Sequence, residues 1–299
     1  LKAAAAATAA AVAGAATAIG ALTTKAIEGY AAQEQLVGGV ETLFKTSSDT
    51  VVGYANDAYK TAGMSANEYM ETVTSFSASL LASMNNDTAA AAEKANVAIT
   101  DMSDNANKMG TDISLIQNAY NGFAKQNYTM LDNLKLGYGG TKEEMQRLLD
   151  DASKLSGIKY DISSYSDIVD AIHVVQTEMG ITGTTAKEAS TTIEGSVSSM
   201  SSAWDNWVAG MADSEANFSQ LTSNLVDSIV TVVGNIAPRV IETVPRLVSG
   251  LGEIVEQLAT YIPQVIQELL PPLMSGVQDL LNTLVGMLPE MISIIGQII

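Results

Sequence analysis

The 299-residue chain contains no cysteine, which removes disulfides, thiolate nucleophiles and Cys-based zinc sites. Aromatic residues make up only 5%, so the 47% hydrophobic content rests mainly on Ala, Val, Ile, Leu and Met. That mixture suits helices with small side chains on their contact faces better than one large globular interior. Positive charge is scarce too: 15 basic against 33 acidic residues give a formal −18, which opposes direct binding to DNA phosphates or to an anionic bilayer. A wide acidic conduit along which DNA slides remains compatible with that charge. No H-E-x-x-H, G-x-S-x-G or G-x-G-x-x-G motif occurs. The chain is therefore not expected to be an enzyme, and no catalytic, cofactor-binding or metal-binding residue is assigned. A hydrolase carried by a further segment would be invisible here. The chain opens on Leu1 and lacks a basic n-region with a cleavage site, so an intact secretory signal is not expected; it reads as a processed product or an excerpt.

What is present falls into three regions, 1–25, 26–215 and 216–299. The first holds 22 uncharged residues between Lys2 and Lys25. As a helix of about 1.5 Å per residue it just crosses a hydrocarbon core of roughly 30 Å, yet alanine is only a mild hydrophobe and four threonines dilute the run. Gly14 and Ala18 permit close helix approach. Packing in an oligomer or conduit, conditional membrane insertion and a spacer role all stay open.

The second region reads as short helices with polar turns, at about 66–83, 88–109, 111–126 and 166–179. Ser65 with Glu68, Thr141 with Glu144, and Thr185 with Glu188 each have the spacing of a capping box, in which hydroxyl and carboxylate satisfy exposed N–H groups reciprocally. "GYGGTKEEMQRLLDDA", 137–152, resembles a phosphate loop but lacks the G-K-[ST] order. It is expected to be a tight turn at Gly139 and Gly140, a cap at Thr141, and a helix with Met145, Leu148 and Leu149 on one face. Glu143 and Glu144 favour the positive end of that helix and would repel a phosphate. Asp150 and Asp151 are expected to end the helix facing solvent. His173, the sole histidine, has no nucleophile or metal-ligand partner at a diagnostic spacing, so a surface or core role is expected. Around Asp101, Asp104 and Asp112 the chain faintly resembles a calcium loop, but Ala106 and Lys108 occupy positions that need oxygen ligands.

Trp204 and Trp207 stand three apart, on one side of a helix, with packing favoured over ligand stacking. Beyond residue 228 the apolar sequence is broken by Pro238, Pro245, Pro263, Pro271, Pro272 and Pro289. Because proline is disfavoured inside a helix, this tract is expected to form consecutive helices of about 8 to 16 residues. Ile254, Leu258, Ile262, Val265, Ile266 and Leu269 keep close to one apolar face, which must be buried against other copies, a partner or a membrane interface.

"LVGGVETLF" at 36–44, "YANDAYKTAGMSANEYMETVTSFSASLLA" at 54–82, and the runs 98–152 and 156–207 resemble tail tape measure proteins of long-tailed bacteriophages and their prophages. The similarity covers at least 30–215. The Ala/Gly-rich helix before it and the apolar tract behind it are also like the family, although even a wholly helical chain of this length reaches only about 450 Å, short for a full tape measure. The capping boxes and 3.6-residue stripes predict an all-α fold, and the resemblance agrees with an elongated multi-helix chain that has a compact helical block and Pro-punctuated amphipathic or apolar helices, some as coiled coil. It implies a virion protein of the tail tube lumen and tail tip that sets tail length during assembly and aids genome ejection through the host envelope. Implied partners are further copies of itself in a parallel homo-oligomer, a trimer being preferred, the tail tube protein, distal tail and baseplate hub proteins, and tail assembly chaperones. The host inner membrane is a further candidate during infection, with viral DNA passing nearby without specific binding. It implies no cofactor. The rival reading is a membrane-active, pore-forming or bacteriocin-like effector.

Overall fold

The computed structural model describes residues 2–261 together with 275, 276, 278, 279 and 282. Among the described residues there is no strand, and the fold is all-α. The chain divides into two units, Leu1–Ser228 and Ile229–Ile299, so residues 216–228 belong with the block before them.

Helix α1 (Lys2–Phe44) is unbroken across the expected division at residue 25. No proline or strong cap interrupts it. Its second half turns Val40 and Phe44 into the core. Next come α2 (Ser48–Thr61), α3 (Ala66–Ser83) and α4 (Thr88–Met109). The Ser65 capping box at the start of α3 forms in full: Glu68 N donates to Ser65 Oγ at 3.3 Å, and Ser65 N donates to Glu68 Oε2 at 2.8 Å. Asp87 caps α4 by accepting from the Ala89 and Ala90 N–H groups. Ala91, Ala92, Ala95 and Ala98 are buried along α4, and their small side chains let neighbouring helices close on it with little entropy cost. Phe44, Tyr69, Phe76, Tyr120 and Phe123 fill the spaces left between.

Helix α5 (Ile113–Phe123) is shorter at both ends than its periodicity suggests, because Asp112 caps it at 2.8 Å to Ser114 N and Gln126 takes a left-handed conformation beyond its end. Helices α6 (Lys142–Ser156) and α7 (Tyr165–Glu178) pack as a pair. Helix α8 (Thr184–Thr191) leads directly into α9 (Ile193–Gly210). Helix α9 is fastened to the α2–α3 turn by polar side chains: Ser202 Oγ donates to Gly63 O at 3.0 Å, and Asn206 Oδ1 accepts from Ala66 N at 2.7 Å. Gly29 of α1 lets Ala209 of α9 approach so closely that a Cβ at residue 29 would lie 3.2 Å from the Ala209 Cβ.

Helix α10 (Phe218–Tyr261) corrects the expectation of short helices, since Pro238 and Pro245 lie inside it. They are seven residues apart and share one exposed side of the helix. There the carbonyls that lose an N–H partner are open to water, which lowers the usual penalty of a mid-helix proline. Pro263, Pro271, Pro272 and Pro289 lie outside the described residues, as do Ile262, Val265, Ile266 and Leu269.

Candidate functional site

The glycine-rich turn is closed on itself. Gly137 has φ +87°, and a Cβ on Gly140 would meet the Thr129 carbonyl at 2.3 Å; both positions require glycine. Thr141 Oγ1 accepts from Glu144 N at 3.2 Å, as a cap should. The reciprocal bond does not return to Thr141, however: Glu144 Oε2 accepts from Gly139 N at 3.0 Å. Arg147 pairs with Glu144, donates to Gly137 O at 2.8 Å and stacks over the Tyr138 ring at 4.3 Å. The Glu144 carboxylate thus takes the Gly139 N–H, a donor that a phosphate cradle would need, and the Arg147 guanidinium is committed to Glu144 and to Gly137 O. Asp150 and Asp151 do not end the helix, which runs on to Ser156. Asp151 accepts from the Tyr138 hydroxyl and pairs with Lys154.

The third expected capping box is absent. Helix α8 begins at Thr184, with Gly183 as its cap residue, and its exposed donors are served by Asp104 of α4. Asp104 is fully buried; Oδ1 accepts from Thr185 N at 2.8 Å and Oδ2 accepts from Gly183 N. A carboxylate at the positive end of a helix is favoured by the peptide dipoles as well as by the bonds themselves. The neighbouring Asn105 donates to Leu134 O at 3.0 Å.

One turn earlier, Asp101 is also fully buried and lies 2.9 and 3.0 Å from His173 Nδ1 through its two oxygens. Burial pushes the Asp101 carboxyl up to about 6, and the bond to His173 only partly offsets that. The same bond raises the His173 imidazole above its ordinary value. Lys94 and Asp170 form a second ion pair between the same helices, α4 and α7. The lone histidine therefore has a partner 72 residues away. Asp101, Asp104 and Asp112, which faintly resembled a calcium loop, perform three separate structural tasks. Among the described residues no cluster of three or more His, Cys, Asp or Glu is placed to hold a metal ion.

Two surfaces are open to other molecules. Trp204 and Trp207 lie 5.3 Å apart between ring centroids, and Phe218 extends the row at 5.5 Å from Trp207. Trp207 Nε1 donates to Thr222 Oγ1 at 3.0 Å, which ties the ring to the first turns of α10, while Trp204 and Phe218 stay exposed. In the second unit, α10 presents Val230, Ile241 and Val248 at exposed positions 11 and 7 residues apart, close to one line along the helix. Arg239, Glu242, Arg246 and Glu253 fall on the other side. The stretch Phe218–Ile254 is long and apolar enough to cross a membrane by length and composition. No family model matches the chain, and no curated protein or solved structure matches it.

Proposed function

We propose that this chain is part of a tail tape measure protein of a long-tailed bacteriophage or prophage, a structural component that sets tail length during assembly and helps the genome leave through the host envelope. The observation that carries the reading is the set of family-like segments at 36–44, 54–82, 98–152 and 156–207, all of which fall within the first unit. Two further features support it. Helices α1 and α10 run for 43 and 44 residues, about 65 Å each, rods far longer than a small core requires. The apolar line on α10 calls for burial against its own kind, and in a tube of three-fold or six-fold symmetry that demand is met by equivalent copies around the axis, three by preference.

High-resolution imaging of intact tails tests the reading. The first unit should be found on the tail axis near the tip, in three or six equivalent copies that contact through α10. Purified, complete tails that lack this chain would overturn the assignment, and a single copy on the axis would overturn the oligomer.

The membrane-length stretch Phe218–Ile254 favours a second reading, a pore-forming effector that acts without a tail. Dye release from lipid vesicles by the purified chain, together with its absence from particles, would select it.

A further inference from the structure

A cleft of about 720 Å³ opens between α1, the α2–α3 turn, α9 and the start of α10, within the size range of small-ligand sites. Seven of the side chains that line it are carboxamides and four are carboxylates, against a single cation, Lys25. Trp204 lines it as well and is 43% exposed. That ring is held by Trp207, 5.3 Å away between centroids, which is itself tied to α10 through Thr222. Asn206, only 9% exposed, stands two residues further on. Its Oδ1 accepts from Ala66 N at 2.7 Å, which fixes the orientation of the amide, because a buried backbone N–H needs an acceptor. Nδ2 then has no hydrogen-bond partner, yet it is not among the atoms sealed from solvent. It is a donor built into the wall and open to the cleft. Part of the carboxamide set is committed to the fold: Asn67 Nδ2 donates to Gly29 O, and Gln220 Nε2 to Asn224 Oδ1. Gln33 and Asn56 have no side-chain partner among the described residues.

We propose that this cleft binds an uncharged oligosaccharide. A sugar ring has an apolar face of C–H groups and a rim of hydroxyls, each of which both donates and accepts. A fixed, exposed indole meets the face. Carboxamides, which carry donors and an acceptor on one group, meet the rim; Asn206 Nδ2 supplies a donor, and Asp205, next to Trp204, an acceptor. The excess of carboxylates rejects nucleotides, phosphorylated sugars and other anions, and these acids do not gather into a metal site. A peptide pairs with amides as well, but brings no flat apolar face for the indole. The proposal is independent of the tail reading and needs only the first unit.

Titration of the full chain with maltotriose, cellotriose and triacetylchitotriose, followed by tryptophan emission and by calorimetry, tests this. At least one of them should bind saturably with a Kd of about 1 mM or tighter and shift the emission to the blue as Trp204 is covered. Sorbitol, which has hydroxyls but no ring face, and trialanine should do neither. Trp204→Ala should weaken binding at least about tenfold, and Trp204→Phe, which keeps a flat face, much less. Asn206→Asp keeps the acceptor for Ala66 N and removes the donor, so it should weaken binding about three- to tenfold. Asn56→Ala, at an exposed position, should also weaken it and carries the test if circular dichroism shows that Asn206→Asp fails to fold. Gln146→Ala in α6, away from the cleft, should leave affinity unaltered. Binding by none of the trisaccharides, sorbitol or trialanine binding as tightly as they do, equal loss in Gln146→Ala, or full affinity in Trp204→Ala would each overturn the proposal.

Discussion

The first unit and the part of α10 beyond Ser228 use side-chain polarity in opposite ways. In α4 the run Asp101, Met102, Ser103, Asp104 and Asn105 is buried throughout, and the two acids and the amide are matched to a histidine, a helix start and a loop carbonyl. In α10 the polarity is reversed: on one line of the helix Val230 is 45% and Ile241 68% exposed. A protein interior accepts a polar group when its bonds are completed there, whereas scattered exposed apolar residues are ordinary and an aligned row of them is a demand for a partner. In the first unit the Asp101 and Asp104 carboxylates and the Asn105 Nδ2 group find their partners within the chain, although Ser103 Oγ and Asn105 Oδ1 do not. The exposed face of α10 finds none there.

The sharpest test of that contrast uses one kind of truncation in both places. Leu80 is fully buried in α3, and Leu80→Ala should cost about 2–5 kcal/mol in chemical denaturation of the chain. Ile241→Ala should stay within about 0.5 kcal/mol for an isolated chain, yet should weaken self-association measured by sedimentation. A large loss of monomer stability from Ile241→Ala would show that α10 is already buried in its own chain and would break the comparison.

Next in size is the buried carboxylate. Asp104→Ala strips Gly183 and Thr185 of their acceptor, and each orphaned N–H costs about 1–3 kcal/mol when it stays buried. The loss should concentrate in α8, visible as faster amide exchange there while α6 and α7 keep their protection. Uniform protection across α8 in the variant would mean that the cap contributes nothing.

Such long-range matches explain how far the sequence could be read. Helices α3 and α4 have the bounds that the sequence predicts, and their caps, Ser65 and Asp87, are local. Thr185 with Glu188 has the same local signature, yet Asp104 displaced it from 79 and 81 residues away. The Asp101–His173 contact leaves no trace in spacing, since only packing of α4 on α7 creates it. Pro238 and Pro245 depart from expectation for a different reason: each alone is a helix breaker, but their seven-residue interval puts both on one wet face of an unbroken helix.

A smaller effect lies in pH. Asp101 holds its proton in the folded chain up to about 6, whereas the unfolded carboxyl releases it near 4, so stability falls as pH rises through that window. His173 adds in the same direction, because its raised folded value makes a contribution that is full below roughly 6.5 and is lost as pH rises through the folded value. Asp101→Asn keeps a hydrogen-bond acceptor for the imidazole and removes the carboxyl titration. It should flatten the decline in unfolding free energy between pH 4 and pH 7 by about 1–2 kcal/mol relative to the parent. An identical slope in parent and variant would assign the whole decline to the general negative charge.

The smallest change tests whether the first unit closes its own turns as completely as the contrast with α10 requires. Thr141 donates no unique chemistry; it accepts one backbone N–H, from Glu144. Thr141→Ala should therefore cost about 0.5–2 kcal/mol and Thr141→Ser much less, because serine keeps the accepting oxygen. The Gly139 N–H should hold its bond to Glu144 Oε2 in both variants, since that bond does not pass through residue 141. If the turn were instead a nucleotide cradle, the energetic pattern would invert: Thr141→Ala would cost little in the free chain, and Lys142→Ala would abolish a measurable affinity for ATP or GTP. Lys142 has no bond to the turn, and Glu144 already fills the donor that a phosphate would need. Titration should accordingly detect no nucleotide binding by parent or Lys142→Ala chain, while the two Thr141 variants separate in thermal unfolding. Measurable ATP binding lost on Lys142→Ala would mean that this turn, like α10, faces outward toward something the chain does not itself supply.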